Sequence, residues 1–208
     1  MLDTEVQIEQ AKLAKEFIDG SIAVDKTRAV KDEQEKELMR KSSAINDAAM
    51  ERFKKLVYEG VTEKEVADQT LDIYKELGAE GFSFPSIVAF GKNSADPHHM
   101  PDDTKLQVGD AVLFDVGCTY KGYCSDMTRT VAVGEPTEEM KSIYNTVLQA
   151  QMAGIGAARA GATGQEVDGA ARKVIEQAGY GQYFGHGFGH SLGLEIHEAP
   201  NANPSSQV

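Results

Sequence analysis

Two long stretches of the chain carry hydrophobic residues at helical spacing. The first runs from about Lys31 to Val57, has charged ends and repeats its apolar positions every three or four residues. The second starts near Thr137 and shows the same periodicity. Each stretch therefore predicts one long amphipathic helix.

The first 27 residues are predicted to be separate from the main domain. Val6, Leu13 and Phe17 predict a helical stretch that closes near Gly20, and residues 21–27 are interpreted as a short joining segment. We interpret residues 1–27 as an N-terminal helical segment or the remnant of a preceding domain. Residues 28–208 then form the main domain.

Two further predicted helices begin and end in the same way. The segments GVTEKEV, from Gly60, and GATGQEV, from Gly161, both contain a T-x-x-E capping box, which satisfies free backbone donors at a helix start. Each helix then stops at a glycine, Gly78 or Gly179. Both the starts and the stops are separated by 101 residues, which indicates a two-fold internal repeat.

The first unit of the repeat continues into predicted strands. The apolar run FSFPSIVAF is followed by the polar loop GKNSADPHHMPDD and by two strand-like runs, Ala111 to Val116 and Tyr123 to Val133. From Gly60 this unit takes about 75 residues, so an equal second unit would run to roughly residue 235, beyond Val208. We therefore expect a duplicated α+β fold whose second half is incomplete.

Charge and composition exclude some classes of partner. With 33 acidic and 21 basic residues the net charge is −12, so sequence-independent binding to nucleic acid phosphates is not expected. No apolar run approaches the roughly 20 residues of a membrane helix, and MLDTEVQIEQ lacks the features of a signal peptide. We expect a cytoplasmic protein. Cys118 and Cys124 form no CxxC motif and are interpreted as reduced packing thiols.

Two aspartates in the strand-like runs form the first candidate site. Asp115 lies on the less apolar face of its strand. If the connection is a four-residue loop from Thr119 to Gly122, Asp126 lies directly opposite Asp115, with Cβ atoms about 5 Å apart. Two carboxylates this close repel each other unless a cation neutralises them. The spacing therefore predicts a metal site at Asp115 and Asp126.

All five histidines lie near the predicted strands. His98 and His99 are adjacent in the polar loop, and His186, His190 and His197 fall in the glycine-rich segment YFGHGFGHSLGLEIHEAP. The glycines disfavour a helix, so we expect an extended backbone on which His186 and His190 share one face. Imidazole is the commonest metal ligand and a proton carrier near neutral pH. The histidines therefore extend the candidate site.

Three strings carry a family resemblance: NSADPHHMP, GDAVLFDVGCTYKGYCSDMTRT and GHGFGHSLGLEIHE. From about Lys31 to the C-terminus the chain resembles the Xaa-Pro peptidase family, which comprises aminopeptidase P and prolidase. The resemblance implies the duplicated α+β pita-bread fold of creatinase and methionine aminopeptidase, with a curved central sheet and helices outside. Residues 28–208 would then be a metallopeptidase catalytic domain that lacks its C-terminal strands.

The resemblance also implies a ligand set and an activity. The family holds two divalent ions, manganese, cobalt or zinc, with two aspartates, a histidine and two glutamates, and Asp115, Asp126 and His190 match the first three. The implied reaction is hydrolysis of the bond before proline in Xaa-Pro peptides by a metal-activated water. Three histidines match the substrate-handling and proton-relay positions of the family: His98, His186 and His197.

The two family glutamates follow the HEAP segment, and the sequence ends at NANPSSQV before reaching them. One of these glutamates would serve as the general base. We therefore expect this chain to bind metal partially or not at all and to be a weak or inactive peptidase. The missing strands would leave a sheet edge and apolar surface, which predicts a homodimer or another partner chain.

Three alternatives remain open. A methionine aminopeptidase-like enzyme shares the fold and the ligands, although the helical N-terminal region and SADPHH resemble the proline-specific branch more closely. Creatinase-like relatives lack the metal aspartates, which Asp115 and Asp126 supply. A non-catalytic binding module on the same fold is the third, and the absent glutamates would permit it.

Overall fold

The computed structural model describes residues 20–207, within which helices pack against three small antiparallel sheets. The helices are α1 Ser21–Ala29, α2 Glu33–Phe53, α3 Glu63–Glu76, α4 Glu138–Ala157 and α5 Gly164–Gln177. The strands are β1 Gly81–Phe82, β2 Ile87–Phe90, β3 Ala111–Val116, β4 Cys118–Tyr120, β5 Tyr123–Cys124, β6 Met127–Ala132, β7 Gly189–Ser191 and β8 Glu198–Ala202.

The two long predicted helices are confirmed. Helix α2 begins after Asp32, whose side chain accepts the backbone N–H of Glu35 in a capping box, and a 3₁₀ turn extends it to Leu56. Helix α4 begins after Thr137, which caps it through the backbone N–H of Met140. None of the helices in residues 20–207 combines the length and apolarity needed to cross a bilayer.

The paired helices of the internal repeat are confirmed as well. Helices α3 and α5 are each 14 residues long and begin with complete capping boxes at Thr62 and Thr163. The glycines after them, Gly78 and Gly179, have φ of +94° and +85°, a conformation that favours glycine at a helix C-terminus. The same local chemistry therefore starts and stops both helices.

The interpretation of residues 21–27 as a joining segment is wrong. These residues belong to α1, whose sequence SIAVDKTRA contains no glycine or proline to interrupt a helix. Arg28 in the last turn of α1 also pairs with Glu198 of β8, which fixes the helix against the second unit. The predicted stretch through Val6, Leu13 and Phe17 lies outside the described residues.

The central sheet of the first unit has the order β2-β3-β6, with β3 in the middle. Val112, Phe114 and Val116 of β3 are fully buried on one face, where Phe114 stacks on Phe53 of α2 with ring centroids 6.3 Å apart. Leu113 and Asp115 alternate onto the other, half-buried face, as predicted. That second face carries the candidate site.

The predicted four-residue loop of the aspartate hairpin is wrong. Strands β4 and β5 pair Tyr120 with Tyr123, which leaves a two-residue turn at Lys121 and Gly122. Both turn residues have positive φ, 48° and 80°, as the tightest hairpin turns require. Asp115 consequently pairs with Thr128 rather than with Asp126. The predicted strand from residue 123 to 133 is also interrupted, at Ser125 and Asp126.

Candidate metal centre

Asp115 stands on the central strand of the three-stranded sheet. Its backbone pairs with Ile87 of β2 on one side and Thr128 of β6 on the other. The Thr128 hydroxyl donates a hydrogen bond of 2.8 Å to Oδ1 of Asp115. Since β3 is held on both sides, the position of this carboxylate is fixed by regular sheet pairing.

Asp126 lies in the break between β5 and β6, where the chain passes close to another segment. The hydroxyl of Ser83 donates to the backbone carbonyl of Ser125 at 2.7 Å. A Cβ at Gly117 would lie 2.1 Å from that same carbonyl oxygen, so this close approach requires glycine. The tight backbone contact fixes Asp126, whose side chain is 24% exposed.

His190 of β7 brings the second unit of the repeat to this site. Its Nε2 lies 3.4 Å from Oδ2 of Asp126, and its Nδ1 lies 3.1 Å from the carbonyl oxygen of Ser191. A carbonyl oxygen only accepts, so Nδ1 carries a hydrogen; when the ring is neutral, its Nε2 lone pair faces the Asp126 carboxylate. Two acceptors that face each other in this way are suited to hold a cation.

The electrostatics of the two carboxylates support the same interpretation. Burial raises the pKa of Asp115, and the negative charge of Asp126 also raises it, whereas Thr128 and His190 lower it. Burial likewise raises the pKa of Asp126, against the opposing effects of His190 and His197. A divalent cation would favour the ionised form of both groups. Carboxylate and imidazole donors suit manganese, cobalt or zinc.

His197 joins the cluster from the loop that precedes β8. Its ring meets the ring of His190 edge to face, with centroids 4.5 Å apart. Beside it lies an open cavity of about 470 Å³, a size that suits a small peptide. The residues that line this cavity are Ser83, Thr119, Cys124, Leu194, Glu195, Ile196 and His197.

Within residues 20–207, no hydrogen bond, ion pair or ring contact joins His98 or His186 to this cluster. Strand β7 starts only at Gly189, so the predicted shared strand face of His186 and His190 is wrong. The His186 ring packs edge to face on Phe184 at 4.9 Å, and its Nδ1 bonds the Gly187 carbonyl. His98 is exposed, and in residues 20–207 only its backbone N–H is bonded, to Asp96. Their predicted roles remain predictions.

A second group that could hold a metal was not predicted from the sequence. Ligand atoms of Glu63, His99 and Asp102 lie within 4.8 Å of one another. However, the buried Glu63 carboxylate already accepts hydrogen bonds from the backbone N–H groups of Phe90 and Asp102 and from the side chain of Asn93, and His99 Nε2 lies 2.6 Å from it. These bonds hold the 91–105 loop in place, so they account for the position of all three side chains without a metal.

Sequence comparison identifies relatives among peptidases. The profile of the metallopeptidase family M24 matches residues 37–208. The chain is 39% identical to an uncharacterized peptidase of Bacillus subtilis, YqhT, over 193 residues, which are 93% of this chain and 55% of the relative. The chain therefore spans about half the length of this curated relative.

Comparison of the fold agrees with the sequence comparison. The prolidase from Pyrococcus furiosus matches with a TM-score of 0.94 and 38% identity, over 100% of this chain and 62% of the prolidase chain. The X-Pro aminopeptidase from Thermotoga maritima matches with a TM-score of 0.93 and 38% identity, over 100% of this chain and 59% of the aminopeptidase. The predicted pita-bread fold is confirmed, and the chain belongs to the metallopeptidase family M24.

Proposed function

We propose that the protein is a metal-dependent exopeptidase that hydrolyses the bond before proline in Xaa-Pro peptides, as an aminopeptidase or a dipeptidase. The observation that carries the proposal is the convergence of Asp126 and His190, which are 3.4 Å apart although they come from different halves of the repeat. The similarity to a prolidase and an X-Pro aminopeptidase supports the substrate class.

Asp115, Asp126 and His190 would hold the divalent ions, manganese, cobalt or zinc. When bound, such ions supply a water of lowered pKa and a Lewis acid for the scissile carbonyl. Asp115 and Asp126 belong to the first unit and His190 belongs to the second, so metal binding by all three would require the two units to pack together. With three of five family ligands, we expect partial metal occupancy and little turnover from these 208 residues.

His197 is the histidine best placed to act on a bound peptide. It touches His190 and also lines the 470 Å³ cavity, where Leu194 and Ile196 offer apolar surface for a proline ring. From this position its imidazole would donate a hydrogen bond to the carbonyl oxygen of the scissile bond. A contribution of His98 and His186 to substrate handling rests on the family resemblance alone and stays part of the proposal.

The proposal includes a cytoplasmic homodimer. Helix α4 exposes an apolar stripe, which is a surface typical of contact with another polypeptide. Sedimentation velocity at two protein concentrations tests self-association. The stripe consists of Ile143, Tyr144, Val147, Leu148, Met152 and Ile155.

The substrate assay compares cleavage of Ala-Pro and Met-Ala peptides, with and without a chelator. It is run on this chain and on the chain together with any sequence that follows it in its gene. Chelator-sensitive cleavage of Ala-Pro in preference to Met-Ala supports the proposal. Equal or faster cleavage of Met-Ala would instead assign the protein to the methionine aminopeptidase branch, and absence of any cleavage by the longer chain would favour a binding module.

A further inference from the structure

The first residue of β8, Glu198, is a buried carboxylate placed between two cations. Its Oε1 accepts a hydrogen bond from the Arg28 guanidinium, and its Oε2 accepts one of 2.8 Å from Lys31 Nζ. The side chain of Glu198 is only 4% exposed. Burial raises the pKa of Glu198, but the bonds from Lys31 and Arg28 and from the backbone N–H of Glu195 outweigh it and lower the pKa to about 2.

This ion cluster joins distant parts of the chain next to the candidate site. Arg28 lies in the last turn of α1 and Lys31 precedes α2, whereas Glu198 pairs with Ser191, the neighbour of His190 in β7. A Cβ at Gly193 would lie 2.6 Å from Oε2 of Glu198, so the loop before β8 is shaped around the carboxylate. The cluster therefore determines the path of the 193–198 loop.

The other side of the same loop is fixed to the segment that carries Asp126. The backbone N–H of Cys124 donates to the Gly193 carbonyl at 2.7 Å, and the Cys124 thiol contacts the Leu194 carbonyl at 3.7 Å. His197 is thus carried on a short loop that is held at both ends, with its ring against His190. A shift of either end would move His197.

We infer that Glu198, held by Arg28 and Lys31, is a positioning residue that keeps the His197 ring against His190, an inference that rests on the proposed function for the importance of His197. Buried ion pairs contribute little net stability compared with apolar packing of the same volume. A carboxylate that is placed between two cations directly beside a site histidine is therefore explained by the geometry it imposes.

The test compares Glu198→Gln, which removes the charge and keeps the shape, with Glu195→Gln as a matched control. Glu195 lies 3.2 Å from the same guanidinium, but its side chain is 68% exposed. Proton NMR of the metal-free 208-residue chain measures the Overhauser effect between the His190 and His197 rings, which needs no peptidase activity. We expect the effect in the wild type and in Glu195→Gln and its loss in Glu198→Gln.

A second variant, Lys31→Met, removes one cation while every residue of the 193–198 loop stays the same, and it decides the test if Glu198→Gln does not fold. In any active preparation we expect kcat to fall about 10–100-fold in both variants, with KM changed by less than about 3-fold. Lys31→Arg should restore kcat. A folded Glu198→Gln or Lys31→Met variant that keeps the ring contact overturns the inference, whether or not the protein proves to be a peptidase.

Discussion

Asp126 and His190 approach to 3.4 Å between Oδ2 and Nε2, and they belong to different units of the internal repeat. Asp126 lies in the break between β5 and β6, whereas His190 lies in β7, which belongs to a separate two-stranded sheet. The site therefore forms only when the two units pack together.

Replacement of Asp115 by asparagine should stabilise the metal-free chain. Burial raises the pKa of Asp115, so its charged form costs folding free energy at neutral pH, and asparagine can still accept the Thr128 bond. We expect the free energy of unfolding to rise by up to about 1 kcal/mol in urea denaturation. Asp103→Asn, at an exposed position, is the control. A loss of stability in Asp115→Asn would contradict this account of the site.

Replacement of Glu63 by alanine should destabilise the fold without affecting metal binding. The change leaves the buried backbone N–H of Phe90 without an acceptor and removes the half-buried bond to the backbone N–H of Asp102, which costs about 3 kcal/mol in total. Exposed Glu59→Ala is the control. His99→Ala separates the two candidate metal sites, because manganese affinity should stay unchanged if Asp115, Asp126 and His190 are the ligands.

The ion cluster of Glu198 predicts that part of the free energy of unfolding is lost in acid. Its pKa in the folded chain is about 2, below the ordinary value of 4.5, so the stabilisation is complete above pH 4.5 and is lost as the pH falls towards 2. At neutral pH, Glu198→Gln should cost about 3 kcal/mol, since Arg28 and Lys31 lose their shared partner. Thermal unfolding from pH 7 to pH 2 should show the wild type converging on the variant. A constant difference across this range would disprove the assignment.

The helices could be predicted because their signals are local. Capping boxes at Thr62 and Thr163 and stop glycines after each helix specify both ends within a few residues of sequence. The alternation in β3 likewise placed Asp115 on the site face and Phe114 in the core. These features depend on neighbours in the chain rather than on distant contacts.

The errors concern features that depend on distant contacts or on uncommon turn residues. The register of the aspartate hairpin depended on a two-residue turn that begins with Lys121 at positive φ, where asparagine or glycine would have been the usual signal. The roles of Glu63 and Glu198 were not foreseen, because their partners lie about 30 and 170 residues away in sequence. A buried acidic residue beside a capping threonine, such as Glu63, has no local marker.

The most direct measurement is a calorimetric titration of manganese into the 208-residue chain, the wild type beside Asp126→Asn, with Asp103→Asn as the control. With only Asp115, Asp126 and His190 as ligands, we expect weak manganese binding in the wild type and in the control. In Asp126→Asn we expect Kd to be weaker by about 10–100-fold or binding to be lost. Equal binding in all three variants, or tight binding of two ions that survives Asp126→Asn, would contradict a metal centre at Asp115, Asp126 and His190.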